Sequence, residues 1–111
     1  MCGVVGYITN KINHKKNQLT LQQMSKSLIH RGPDSAGEIS FIDKVYLAHR
    51  RLSILDITQG GAQPMNSQSG RYIISFNGEI YNHLKLRELL QKNKNISWKS
   101  TSDTETLLEF F

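Results

Sequence analysis

One cysteine in 111 residues excludes an intrachain disulfide and any zinc centre built on cysteines. That usage fits a reducing compartment, and a cytoplasmic location is expected. No apolar run approaches the length of a transmembrane helix, and the opening Met1 to Ile8 lacks the basic lead and apolar core of a secretory signal, so no membrane association is expected. There is no internal repeat and no low-complexity tract. Acidic residues are few, 9 against 14 lysines and arginines, for a formal charge of +5. The basic side chains are scattered, however, and the groups Lys11 to Lys16 and Lys92 to Lys99 lie in asparagine-rich stretches without interleaved aromatics. Nucleic acid binding is therefore not expected, and a steep fall of polyanion affinity with salt is what would favour it. The length allows one domain at most.

Residues 2 to 9 are β-branched and aromatic around Gly3 and Gly6, the pattern of a buried strand approached closely by another backbone or a ligand. A polar loop is expected over Asn10 to Asn17. Thr20 with Gln23 has the form of a capping box, opening a helix along Leu21, Met24, Leu28 and Ile29 to near His30. Residues 31 to 37 form a loop, stiffened by Pro33. Segments 38 to 43 and 45 to 49 read as antiparallel strands around a turn at Asp43-Lys44, with further strands at Leu52 to Leu55, Arg71 to Asn77 and Ile96 to Ser100. Asp56 to Gly70 reads as a long connection of the kind that serves as a lid or a binding loop. Asn82 is an N-cap candidate with Tyr81 stapled to Leu86, and Ser102 with Glu105 forms a second capping box opening a last helix. The fold class is α+β. Phe110 and Phe111 end that helical pattern without a stop signal, so the domain is expected to continue past this helix.

The chemistry begins at Cys2. Removal of Met1 would make it the first residue, joining a thiol of reference pKa about 8.5 to an α-amine of about 7.7 to 8.0, so that one residue supplies nucleophile and base. Retained methionine would turn that amine into an amide and abolish the base. Taken alone, Cys2 also reads as a small buried residue beside Gly3. Asn77-Gly78 at a strand end offers a side-chain amide and a backbone N–H to an oxyanion, or equally a common turn. Arg50 and Arg51 each suit a ligand carboxylate or an exposed surface. Asp103 suits a ligand ammonium or the dipole of its helix. His30, His49 and His83 lack metal-ligand spacing, so no metal site is expected.

Six segments occur together: Met1-Cys2-Gly3-Val4-Val5-Gly6, His30-Arg31-Gly32-Pro33-Asp34, Ala48-His49-Arg50-Arg51-Leu52-Ser53-Ile54, Gln63-Pro64-Met65, Asn77-Gly78-Glu79-Ile80-Tyr81-Asn82 and Ser102-Asp103-Thr104-Glu105. In type and order they resemble the class II glutamine amidotransferase domain of glutamine-hydrolysing asparagine synthetases, from the first residue to the last helix. The resemblance implies an N-terminal nucleophile hydrolase fold, an αββα sandwich of antiparallel sheets, of which residues 1–111 are the N-terminal part. It implies hydrolysis of the L-glutamine side-chain amide to glutamate and ammonia. Cys2 matches the nucleophile and Asn77 with Gly78 the oxyanion hole. Arg51 matches the guanidinium on the α-carboxylate, chosen over Arg50. Glu79 and Asp103 match the acids on the α-ammonium, and Leu52 and Ile54 line the same pocket. Such a lock on a zwitterion discriminates against asparagine, one methylene shorter. The loop Arg31 to Asp34 braces the site rather than reacting.

No cofactor is implied within this segment. ATP and magnesium belong to a C-terminal synthetase domain or subunit, absent from these residues, that consumes the ammonia; a homodimer is compatible with the family, and the acceptor is left open. Against this enzyme stands a second reading, a non-catalytic module binding glutamine or a partner, which retained Met1 would favour.

Overall fold

The computed structural model describes residues 1–53 and 59–111. The first strand, β1 (Gly3–Ile8), leads to helix α1 (His14–Ser27), then to the hairpin of β2 (Ser35–Phe41) and β3 (Val45–Arg51). A 3-10 turn (Gln59–Gly61) and the short pair β4 (Met65–Asn66) and β5 (Ile73–Ile74) follow, and α2 (His83–Asn93) and α3 (Asp103–Phe110) complete the order. The architecture is mixed α+β with antiparallel sheets, as the patterning implied. Among the described residues no helix is long and apolar enough to cross a membrane.

Helix α1 starts seven residues earlier than the Thr20 capping box suggested. Asn13 is the cap, its side chain accepting from the Lys16 N–H at 3.1 Å, so only the first half of the polar run read as loop stays outside the helix, and residues 14–17 form its first turn. Thr20 lies inside the helix, where its hydroxyl donates back to the Lys16 carbonyl at 3.0 Å.

β3 is the central strand, in the order β1-β3-β2. Its alternation sorts side chains onto two faces. Val5 opposite Ala48 and Tyr7 opposite Tyr46 share one face with Leu21 of α1 and form the core. There Tyr7 and Tyr46 stack with centroids 5.1 Å apart, and the Tyr7 hydroxyl donates to the Asn17 carbonyl at 2.7 Å. Val4 opposite His49 lies on the other face, where Cys2 and Arg51 follow by the same period of two. A Cβ on Gly37, the β2 partner of His49, would stand 2.0 Å from the Gln63 carbonyl oxygen, so glycine there lets the 59–66 segment lie directly on that face.

The hairpin turn falls one residue before Asp43-Lys44. Its central residues, Ile42 and Asp43, have φ of 48° and 53°, and the Lys44 N–H closes it on the Phe41 carbonyl at 3.1 Å. Left-handed backbone at both central positions matches the twist of the flanking strands, as in type I′ turns.

Further expectations are corrected. The strand expected over Arg71 to Asn77 is only Ile73–Ile74, paired with Met65–Asn66. Leu52 and Ser53 lie outside any strand, and Ile54 and Leu55, with which that strand was to continue, lie outside the described residues. Ile96 to Ser100 is not a strand: the Lys99 and Ser100 N–H groups both donate to the Glu105 carboxylate at 2.8 Å instead of to a ladder. Glu105 is thereby diverted from a reciprocal capping box. Ser102 still caps α3, accepting from the Thr104 N–H at 3.1 Å. At α2, Asn82 makes no side-chain cap bond, and Tyr81 is too exposed, 88%, to staple Leu86.

Arg87 joins α2 to α3. Its guanidinium donates to Thr106 Oγ1 at 2.8 Å and to the Ser100 and Ser102 carbonyls at 2.8 and 2.7 Å, and it lies 4.1 Å from the Trp98 ring centroid. Three directed bonds and a cation–π contact hold the start of α3 against α2.

Candidate active site

A cavity of about 280 Å³ opens where β1 begins, β3 ends, the turn after β5 passes and α3 begins. Cys2, Arg51, Leu52, Asn77, Gly78, Glu79 and Asp103 all line it, although 101 positions separate the first from the last. Ile54 lies outside the described residues. The cavity is on the sheet face opposite the Tyr46 core, so the period of two that buries Ala48 is the one that delivers Arg51 to the cavity.

Two bonds hold the thiol. The Leu52 N–H donates to Cys2 Sγ at 3.3 Å, and the thiol in turn reaches the Leu52 carbonyl at 3.6 Å. The Cys2 carbonyl accepts from Arg31 Nε at 3.4 Å. Gly32 beside it is buried against the Arg50 backbone, and the Asp34 carboxylate accepts from the Ser53 N–H at 2.7 Å. The loop from Arg31 to Asp34 is thus bonded to both strand ends that carry the site.

The two arginines are separated by strand alternation. Arg51 lines the cavity, whereas Arg50 turns to the opposite face and donates from Nε to the Gly32 carbonyl at 3.0 Å. Asn77, Gly78 and Glu79 sit exposed on the turn following β5. Asp103 is 5% exposed at the first turn of α3, and its Oδ2 accepts from the Ile80 N–H at 2.7 Å. The acid therefore also fixes the end of the turn carrying Asn77.

Three further cavity residues were given no part in this site by the sequence, His49 having been weighed only as a metal ligand. His49 is 1% exposed, with Nδ1 3.0 Å from Ser75 Oγ and Nε2 without a hydrogen-bond partner among the described residues. Burial, reinforced by the Arg51 charge, lowers its pKa to about 4, so the ring is neutral at pH 7. Its place two residues before Arg51 was the available signal. Gln63 and Thr104 also line the cavity and bond each other, Nε2 to Oγ1 at 3.1 Å. Among the described residues no three histidine, cysteine or acidic side chains are grouped to hold a metal.

The cavity wall thus brings together the Cys2 thiol, the Asn77 amide, the Arg51 guanidinium and the Glu79 and Asp103 carboxylates. Residues 1–111 match the glutamine amidotransferase domain family throughout, and the chain belongs to that family. Its homologues are glutamine-hydrolysing asparagine synthetases. The asparagine synthetase 1 of Bacillus subtilis is 44% identical over 112 residues, covering 97% of this chain and 17% of the relative. The probable asparagine synthetase of Schizosaccharomyces pombe is 40% identical over 113 residues, covering 100% of this chain and 19% of the relative. Asparagine synthetase B of Escherichia coli K12 is 35% identical over 111 residues, with the same coverage of 100% and 19%. The chain spans about a fifth of the length of the curated relatives it matches.

Proposed function

We propose that this chain is the part of an N-terminal nucleophile hydrolase that takes ammonia from the side chain of L-glutamine, and that Cys2, freed by removal of Met1, is its nucleophile. The observation that carries the reading is the convergence of Cys2, Arg51, Asn77, Gly78, Glu79 and Asp103 on one cavity. Free glutamine carries a carboxylate and an ammonium on its α-carbon. Arg51 on the first, with Glu79 and Asp103 on the second, directs the side-chain amide toward the sulfur.

The Cys2 α-amine takes the thiol proton, and Sγ attacks the amide carbon. Asn77 Nδ2 and the Gly78 N–H stabilise the oxyanion that forms. Collapse breaks the carbon–nitrogen bond, and the proton held by the α-amine goes to the departing nitrogen, releasing ammonia and leaving a thioester. Water, deprotonated by the same amine, hydrolyses the thioester to glutamate and restores the thiol. His49, neutral at pH 7, adds no second positive charge beside Arg51.

The names of the relatives, glutamine-hydrolysing asparagine synthetases, support coupling of this hydrolysis to a synthetase activity, which we assign to an ATP-dependent C-terminal domain that transfers the ammonia to a carboxylate. ATP and magnesium belong to that domain. The test is glutamate release from glutamine by the full polypeptide: the account expects it, and expects asparagine to be a poor substrate. Hydrolysis of both amides at equal rates would contradict the zwitterion lock.

A further inference from the structure

We propose that Gln63 is a positioning residue that sets the separation between the oxyanion donors and the ammonium-binding acid. The inference rests on the glutaminase reading above and deepens it. One carboxamide joins two elements that carry opposite ends of the site. Gln63 Oε1 accepts from the Phe76 N–H at 2.6 Å, immediately before Asn77 and Gly78. Gln63 Nε2 donates to Thr104 Oγ1 at 3.1 Å, immediately after Asp103. Asp103 in turn accepts from the Ile80 N–H at 2.7 Å. Phe76 and Ile80 bracket the turn holding Asn77, Gly78 and Glu79, so that turn is pinned at one end by Gln63 and at the other by Asp103. With Thr104 adjacent to Asp103, the bonds close into a ring around the rim of the cavity.

The ring is also seated on the sheet. The Gln63 carbonyl oxygen occupies the space a Cβ on Gly37 would fill, which ties it to β2 and, through β3, to Arg51 and the Cys2 end of β1. Only a side chain with an acceptor and a donor on one terminal group makes both bonds in this way. Placement matters steeply here, since a displacement of about 1 Å at a reacting centre costs roughly a hundredfold in rate.

The experiment combines Gln63→Leu, Thr104→Val and Thr104→Ser in the full polypeptide with two readouts. In glutaminase kinetics, Gln63→Leu lowers kcat about 10- to 100-fold and Thr104→Val about tenfold, while Thr104→Ser, which keeps the hydroxyl, stays within about twofold of the parent. In amide hydrogen exchange, Thr104→Val speeds exchange at Phe76, the two residues being joined through Gln63. If Gln63→Leu does not fold, Thr104→Val with its serine rescue decides. Parent kinetics in Thr104→Val together with unchanged exchange at Phe76 would overturn the proposal. Absence of glutamine hydrolysis by the parent defeats the functional reading instead, and the exchange result then judges the ring alone: faster exchange at Phe76 supports it and unchanged exchange refutes it.

Discussion

The Leu52 backbone brackets the Cys2 sulfur, its N–H 3.3 Å and its carbonyl 3.6 Å away. A residue one step from the start of the chain is thereby fixed to the end of β3, next to Arg51. Near-terminal residues ordinarily fray. Here the pairing of Gly3 with Arg50 carries the sheet ladder to within one residue of the sulfur, and Leu52 completes its anchorage.

The two adjacent arginines separate binding from stability. If Arg51 holds the α-carboxylate as proposed, Arg51→Met removes a charge-assisted contact worth about 1.5–3 kcal/mol and raises KM for glutamine about 10- to 100-fold. Arg50→Met, which loses the bond to the Gly32 carbonyl, leaves KM within about twofold and lowers stability by about 1 kcal/mol. Steady-state kinetics and thermal melts on both variants check this.

His49 gives stability a pH dependence of defined sign. Its pKa is near 4 folded and 6.5 in the reference state, so between these values the unfolded chain binds the extra proton. Stability contributed by the neutral ring is present above pH 6.5 and is lost as pH falls toward 4, on the order of 3 kcal/mol at full protonation. Urea unfolding from pH 7 to pH 4.5 follows this slope, and His49→Gln flattens it.

Gly32→Ala strikes the brace under the site. The added Cβ would lie 2.3 Å from the Arg50 carbonyl carbon and oxygen, a backbone collision that no side-chain rotation relieves. A loss of about 1–3 kcal/mol is expected, seen as a melting temperature lowered by several degrees. KM for glutamine rises with it, because the displaced backbone continues into Arg51.

Ile42→Asn should stabilise the chain. Ile42 holds φ at 48° and is 67% exposed, so a β-branched side chain sits in a left-handed conformation without burial in return. Asparagine tolerates that backbone, and a gain of about 1 kcal/mol in denaturant unfolding is expected.

Much of this architecture is written in local pattern. The period of two along β3 separates Ala48 from His49 and Arg50 from Arg51, and Ser102 announces α3. What escaped the sequence depends on distant partners. Asn13 outcompetes Thr20 as a cap through one bond to Lys16, a choice between two local signals that composition alone does not weigh. The 96–100 segment has strand residues, but the Glu105 carboxylate takes the Lys99 and Ser100 N–H groups in place of a ladder. Gln63 meets Thr104 across 41 positions, and no periodicity in either segment encodes that meeting. The positions named for the site were legible because six short motifs occur together in order; their individual patterns left each open to a commoner use.

The most direct test joins the mass of the N-terminus to turnover in one sample. Intact mass of the full polypeptide should lack Met1, and glutamate release from glutamine should be present in the parent and fall to background in Cys2→Ala. Hydrolysis persisting in Cys2→Ala, or full activity with Met1 still attached, would contradict the claim that the freed cysteine is both nucleophile and base.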